Sequence, residues 1–249
     1  PTRGTTTQRP SDHVEVGSLR YNYDIKNLEY YRGDTIGWVQ FELIDPDLGG
    51  GTGSNTGVGH RGVLGGGYES YPTIVNKYDF ITIPTLGNTQ DFGEGSGKGA
   101  STALGSQTRG IFAGGQIPSN VNQIEFITFS STGNGTDFGD LLKLNHTMAS
   151  GASQTRGIYA GGKSNPSPAN HHDDTIQYIT IASEGDAVDF GNLTVARSNT
   201  DPGGSSSTRA VFARGYSDPA YSNVMDYVTI SSTGDAIDFG DIYSTGYGR

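Results

Sequence analysis

The chain has no cysteine, which excludes a disulfide scaffold and any Cys-ligated zinc or iron–sulfur centre and leaves the redox compartment open. It is poor in charge, with 17% Asp, Glu, Lys and Arg, and its 26 acids outnumber its 16 bases to give a net charge of -10. Phosphate binding needs a basic patch, so nucleic acid is excluded as a partner. No stretch reaches the roughly 18–20 apolar residues of a membrane span. The opening Pro-Thr-Arg-Gly-Thr-Thr has no apolar run of the signal-peptide kind. Leucine is scarce, which argues against helices.

What is abundant is glycine, 39 of 249 residues, together with 14 Tyr and 10 Phe. Gly costs about 1 kcal/mol relative to Ala inside a helix, which again disfavours helical structure. The glycines and aromatics recur at regular places. Four segments align: His60 to Gly67, Thr108 to Gly115, Thr155 to Gly162 and Thr208 to Gly215. Their arginines, Arg61, Arg109, Arg156 and Arg209, lie 48, 47 and 53 residues apart. Each segment is followed by a β-branched and aromatic run: Tyr78 to Ile83, Ile124 to Phe129, Ile176 to Ile181 and Met225 to Ile230. Gly plus Asn or Asp comes next, and then Asp-Phe-Gly, with its aromatic at Phe92, Phe138, Phe190 and Phe239. Such self-similarity decides the fold class before any local propensity does.

Each run reads as a strand. Ile124 and Phe126 fall on one face and Ile127 and Phe129 on the other, so the strand belongs to a sheet covered on both sides. The Gly-Asn or Gly-Asp pairs suit a tight hairpin turn, and Asp-Phe-Gly then forms the next antiparallel strand. The Arg-Gly-Ile-Phe-Ala-Gly-Gly segment supplies a third. The Gly- and Ser-rich stretch before it supplies a fourth, inner strand where backbones converge. Four antiparallel strands in about 48 residues make a β-propeller blade. Over residues 49–249 the pattern resembles the kelch motif, in its strand ending in Gly-Gly, its following aromatic strand and an aromatic where kelch has Trp. The expected fold is therefore all-β, a kelch-like propeller of four blades, as a four-bladed ring or an open arc that another chain or segment completes.

Residues 1–48 do not fit the repeat. Short strand-like runs at 17–22, 27–31 and 37–41 make a small β meander, too small to fold without a partner surface. The order Thr-x-x-Gln-Arg-Pro, Gly-x-Leu-Arg-Tyr-Asn, Leu-Glu-x-Tyr and Trp resembles a module found near the start of tailed-phage fibre and other virion proteins. It implies docking through Arg9, Pro10, Leu19, Tyr21, Leu28, Tyr31 and Trp38; the alternative is a meander that packs on the repeats. Tyr-Ile-Thr-Ile, Ser-Thr-Gly-Asn and Asp-Phe-Gly-Asp resemble repeats of phage structural proteins, especially those of cyanobacterial phages. Together the resemblances imply a non-enzymatic virion protein, assembled in the bacterial host cytoplasm. It would be a homo-oligomer in the particle, binding other virion proteins through residues 1–48. A tail or tail-fibre appendage is the leading reading, with a capsid-surface or collar decoration, or a carbohydrate- or receptor-binding adhesin module, as alternatives.

No catalytic residue, metal or cofactor is singled out. His171-His172-Asp173-Asp174 holds four ligand-type residues, but neighbours on a strand point to opposite faces, so the run reads as an exposed loop. Asp-Phe-Gly matches the magnesium tripeptide of kinases in letters only, with no catalytic loop or helical lobe around it. The oxygens of 133–140 and its copies suggest at most a weak Ca²⁺ site in each repeat. Gly49 to Gly53 lacks the helix N-terminus that a phosphate cradle needs. The 26 acids leave glycan hydrolysis open without marking a pair. The recurring arginines read as structural groups bonded to backbone carbonyls or a nearby Asp; a ring of ligand-binding arginines is the alternative. The loops after Gly-Gly vary most, and their Tyr68, Tyr71, Tyr216 and Tyr221 give a rim suited to a host-surface glycan or protein, or are ordinary loop filler.

Overall fold

The computed structural model describes residues 2–10, 13–40, 61–70, 72–83, 86–165 and 171–245. Tyr71, Gly49 to Gly53, and with them the expected inner strand of the first repeat, lie outside these. The chain is all-β, built of several small, mainly antiparallel sheets, and among the described residues a single 3-10 turn occurs at Thr6–Gln8. Among the described residues no helix is long and apolar enough to cross a membrane. The chain divides into two compact units, Pro1–Asp45 and Pro46–Arg249.

The first unit is one sheet of β1 (Thr2–Gly4), β2 (Leu19–Asn22), β3 (Asn27–Tyr31) and β4 (Trp38–Gln40), in that order. β1 runs parallel to β2, and the other pairs are antiparallel.

The second unit repeats one design. In the second repeat an inner strand (Thr102–Gly105), an arginine strand (Arg109–Ala113), a central strand (Gln123–Thr128) and an outer strand (Thr136–Asp140) form an antiparallel meander. The third repeat does the same with Ala149–Ala152, Arg156–Ala160, Thr175–Thr180 and Val188–Asn192. The fourth uses Asp201–Ser205, Arg209–Ser217, Ala220–Thr229 and Ile237–Asp241. The first shows Arg61–Gly65, Lys77–Thr82 and Gln90–Glu94. The serine before each arginine strand shapes the turn into it: Ser106 Oγ accepts the amides of Thr108 and Arg109 at 3.2 Å, and Ser153 and Ser206 repeat the arrangement.

One sequence element takes a different role from that expected, and another carries a feature beyond it. The tight turn between central and outer strands comes before the Gly-Asn pair, where the Ser131 amide reaches the Thr128 carbonyl; Ser183 and Ser232 do the same. The freed glycine amide reaches instead into the previous repeat. Asp-Phe-Gly forms the next antiparallel strand, as expected, and carries a β-bulge within it. Ile124 pairs with Gly139 and Glu125 with Asp137, so Phe138 is left out of the ladder. The same offset recurs at Phe92, Phe190 and Phe239. The bulge turns the ring out of the sheet, and the following glycine takes a φ of +129° to +152° that L side chains avoid.

Among the described residues, each hydrophobic core of the second unit lies between two sheets. Tyr78, Phe80 and Phe92 of the first repeat meet Phe112 and Ile127 of the second. Ile111, Ile124 and Phe138 meet Tyr159, Ile179 and Ile181. Ile158, Ile176 and Phe190 meet Phe212, Val228 and Ile230. Each of the two inner repeats thus has a leading face against its predecessor and a trailing face against its successor. Burying one such aromatic or Ile contributes about 1.5–3 kcal/mol.

The bulge glycines test this stacking. A Cβ on Gly139 would come within 2.5 Å of the Gly185 carbonyl group in the next repeat, whereas one on Gly240 meets nothing within 4 Å. Gly240→Ala should cost only the backbone strain, about 1–3 kcal/mol, and Gly139→Ala at least about 2 kcal/mol more. Urea denaturation of the two variants measures the difference.

Candidate functional site

The first unit is inverted. Residues alternating on β2 and β3 put Arg20, Asn22, Glu29 and Tyr31 on the buried face. Leu19, Tyr21 and Leu28 lie on the outward face, exposed at 46%, 37% and 39%, with Tyr23 and Ile25 also exposed beyond β2. The polar interior is held by charge. Arg9 bonds Glu29 through both its Nε and a terminal nitrogen, and Arg20 Nη1 lies 3.7 Å from Glu29. Burial pushes the Glu29 carboxyl up, but hydrogen bonds from Arg9 and Asn22 and the two arginine charges outweigh it and hold it below its ordinary value. Arg20 also donates to the Thr5 carbonyl and lies 5.6 Å from the centre of the Trp38 ring, whose Nε1 donates to the Pro10 carbonyl.

Of the seven residues expected to dock a partner, Leu19, Tyr21, Leu28 and Pro10 are therefore outward. Arg9 and Trp38 are half-buried in the module's own bonding, and Tyr31 is buried, bonded to Asp34 and 5.4 Å from Trp38. Tyr31 is not available to a partner, because strand alternation sends it inward with Glu29.

In the second unit the recurring arginines join neighbouring repeats. The guanidiniums lie over the aromatic of their own central strand: Arg61 on Phe80, Arg109 on Phe126, Arg156 on Tyr178 and Arg209 on Tyr227, at 4.7, 4.3, 4.2 and 4.3 Å. The same aromatics hold the bulge rings edge-on, from Phe80–Phe92 to Tyr227–Phe239. Arg61, Arg109 and Arg156 then donate across the junction to the carbonyls of Phe129, Ile181 and Ile230. At the outer edge the amides of Gly133, Gly185 and Gly234 donate to the carbonyls of Phe92, Phe138 and Phe190, each at 2.7 Å. Asn134, Asp186 and Asp235 side chains accept from the amides of Glu94, Asp140 and Asn192.

Deeper in each junction a central-strand residue accepts from the segment leaving the previous repeat. Glu125 takes the Ser96 amide and Tyr78 hydroxyl, Gln177 the Leu142 amide, and Asp226 the Thr194 hydroxyl. Lys98 and Arg197 pair with Glu125 and Asp226 at 3.1 and 2.8 Å. Burial pushes both cations below their ordinary values against the pull of those carboxylates.

The rim aromatics do not form one group. Tyr68 donates to the Gln116 side chain at 3.1 Å, whereas Tyr216 packs edge-on to Tyr221 at 5.3 Å and to His172 at 5.1 Å. The His-His-Asp-Asp run diverges: His171 is exposed, His172 meets Ser198 Oγ at 2.9 Å, and Asp173 is buried against Thr175 and Lys143. Among the described residues no three His, Asp or Glu side chains are grouped to hold a metal ion.

Two outcomes check these charges. Glu29→Ala strands Arg20 in a buried site, so the first unit should lose about 3–5 kcal/mol, seen as a lower denaturation midpoint in the fluorescence of Trp38, the single Trp. Burial, and then the Lys163 charge, hold His146 and His172 below their ordinary values, although Asp218 pulls His172 the other way. The fold thus favours the neutral rings, and below about pH 6.5 the unfolded chain binds protons that the folded chain refuses. Stability should be full above that pH and fall as pH drops below it, and His146→Gln with His172→Gln should flatten the slope of the urea midpoint between pH 8 and 5.

No protein-family model matches this chain, and no curated protein matches it significantly.

Proposed function

We propose that the chain is a non-enzymatic structural protein of a tailed-phage virion, a tail or tail-fibre appendage whose first unit docks onto neighbouring virion proteins and whose repeats are displayed. The observation that carries this reading is the inverted first unit. Its Arg9 and Arg20 pair with Glu29 inside, and its Leu19, Tyr21, Tyr23, Ile25 and Leu28 face outward. An apolar patch on a small sheet with a polar interior is what a docking surface requires. The resemblance of residues 1–48 to virion modules supports the same reading. The repeats are read as blades of a kelch-like propeller, supported by their four-stranded meanders and the neighbouring inner strands of successive repeats. Their function needs no cofactor and no nucleic acid, and their place is the virion.

A second reading, a glycan- or receptor-binding module, is favoured by the packed His172, Tyr216 and Tyr221 beside the Asp218–Pro219 turn. Aromatic faces of this kind stack on sugar rings, and Tyr216→Ala with Tyr221→Ala should then abolish saturable binding to host cells.

The docking reading is tested by truncation. A chain beginning near Gly49 should keep its β circular dichroism yet fail to enter particles in a complementation assay. Leu19→Asp with Tyr21→Asp in the full chain should fail likewise. Normal incorporation of both would overturn docking through this unit.

A further inference from the structure

The junction described above occurs three times, yet its residues occur four times. The fourth repeat keeps the arginine and the bulge of the trailing face, though Ile242 to Thr245 hold no counterpart of Lys98 or Arg197. Arg209 sits over Tyr227, and Tyr227 packs on Phe239, as in the other repeats. However, Arg209 is exposed and, among the described residues, its guanidinium donates to no carbonyl. Phe92, Phe138 and Phe190 are each 3% exposed, and Phe239 is 49% exposed.

The first repeat keeps every acceptor of the leading face. Ile83 stands where Phe129, Ile181 and Ile230 offer their carbonyls. Gly87 and Asn88 stand where Gly133-Asn134, Gly185-Asp186 and Gly234-Asp235 grip the previous outer strand. Asp79 takes the place of Glu125, Gln177 and Asp226. Its apolar residues are uncovered as well: Leu64 is 57% and Ile83 54% exposed, while their counterparts Phe212 and Ile230 are buried. Here both outward faces carry the chemistry of an interior junction.

We propose that the trailing face of the fourth repeat binds the leading face of the first repeat of a second copy of this chain, head to tail. Three internal junctions define the fit. Arg209 donates to the Ile83 carbonyl of the second copy. The Gly87 amide donates to the Phe239 carbonyl, and the Asp241 amide to the Asn88 side chain. Phe239 is covered by the apolar face that carries Leu64 and Ile81. The contact is heterologous: it closes as a ring if the rotation allows and otherwise grows as a filament. It rests on the repeat junctions alone and stands or falls separately from the virion reading.

Sedimentation of the 249-residue chain over roughly 1–100 µM, where interfaces of modest size dissociate, should show mass rising above 26.2 kDa. Arg209→Glu and Leu64→Glu should each weaken association by at least about tenfold. Because each variant spoils a different end, an equimolar mixture of the two should form a one-to-one dimer and nothing larger. The absence of native cysteine permits a direct register test. Thr89 matches Ala236, whose amide meets the Asn192 carbonyl, and Asp241 matches Asn192. Oxidising a mixture of single variants Thr89→Cys and Asp241→Cys should give a covalent heterodimer, within disulfide reach. A chain that stays monomeric throughout, or an association indifferent to both charge variants, overturns the proposal. So does a Thr89→Cys, Asp241→Cys double variant that forms its disulfide within one chain, because the array then closes on itself.

Discussion

The architecture of the second unit depends on one constraint: a four-stranded sheet that is apolar on both faces cannot stand alone. Ile124 and Ile127 sit three residues apart on one strand and are both buried, each in a different core. The second and third repeats therefore each have two neighbours, and the devices of the motif serve the junction between sheets. The bulge ejects a ring into it, the bulge glycine lets the next backbone approach, and the arginine closes it against a carbonyl. The polar contacts matter most for register. A net hydrogen bond adds only about 0.5–1.5 kcal/mol, but an unmet carbonyl or guanidinium inside the junction would cost more, so only one alignment of successive repeats is tolerated.

The first unit solves the opposite problem. With so few residues it gathers little apolar surface for an interior, and it fills its buried face with Arg20 and Glu29. Such a pair contributes little stability by itself but fixes which strands meet, because either charge left alone is heavily penalised. The apolar side chains displaced from the interior become surface. Stability and exposure are thereby linked: the charges that hold the sheet together leave Leu19 and Tyr21 on the outward face.

Much of this was legible in the sequence. Period, strand order and the both-faced central strand follow from residue type, because alternation on a strand is set by backbone geometry. The Gly-Asn pair was misleading, since its residue types suit a hairpin turn. Whether the backbone used them so depended on a carbonyl in another repeat, that of Phe92, which no local pattern announces. Tyr31 looked like its exposed neighbours in a motif of aromatics, but it alternates with Leu28 and Tyr30 and shares the buried face with Glu29, and which face is buried was decided by packing. The buried acceptors Glu125 and Asp226 carried a signal that local reading passes over: an acid in the middle of an apolar strand.

The sequence by itself determined that the chain is all-β, that it repeats, and which positions carry glycine, arginine and phenylalanine in each copy, because these follow from local sterics and period. The tertiary structure decided what those positions do. Arg109 reaches a carbonyl 72 residues away, and Phe138 and Phe239, identical in motif, are respectively buried and exposed. That difference comes from the neighbour each repeat has, which is a matter of packing between sheets and lies beyond the reach of any single segment.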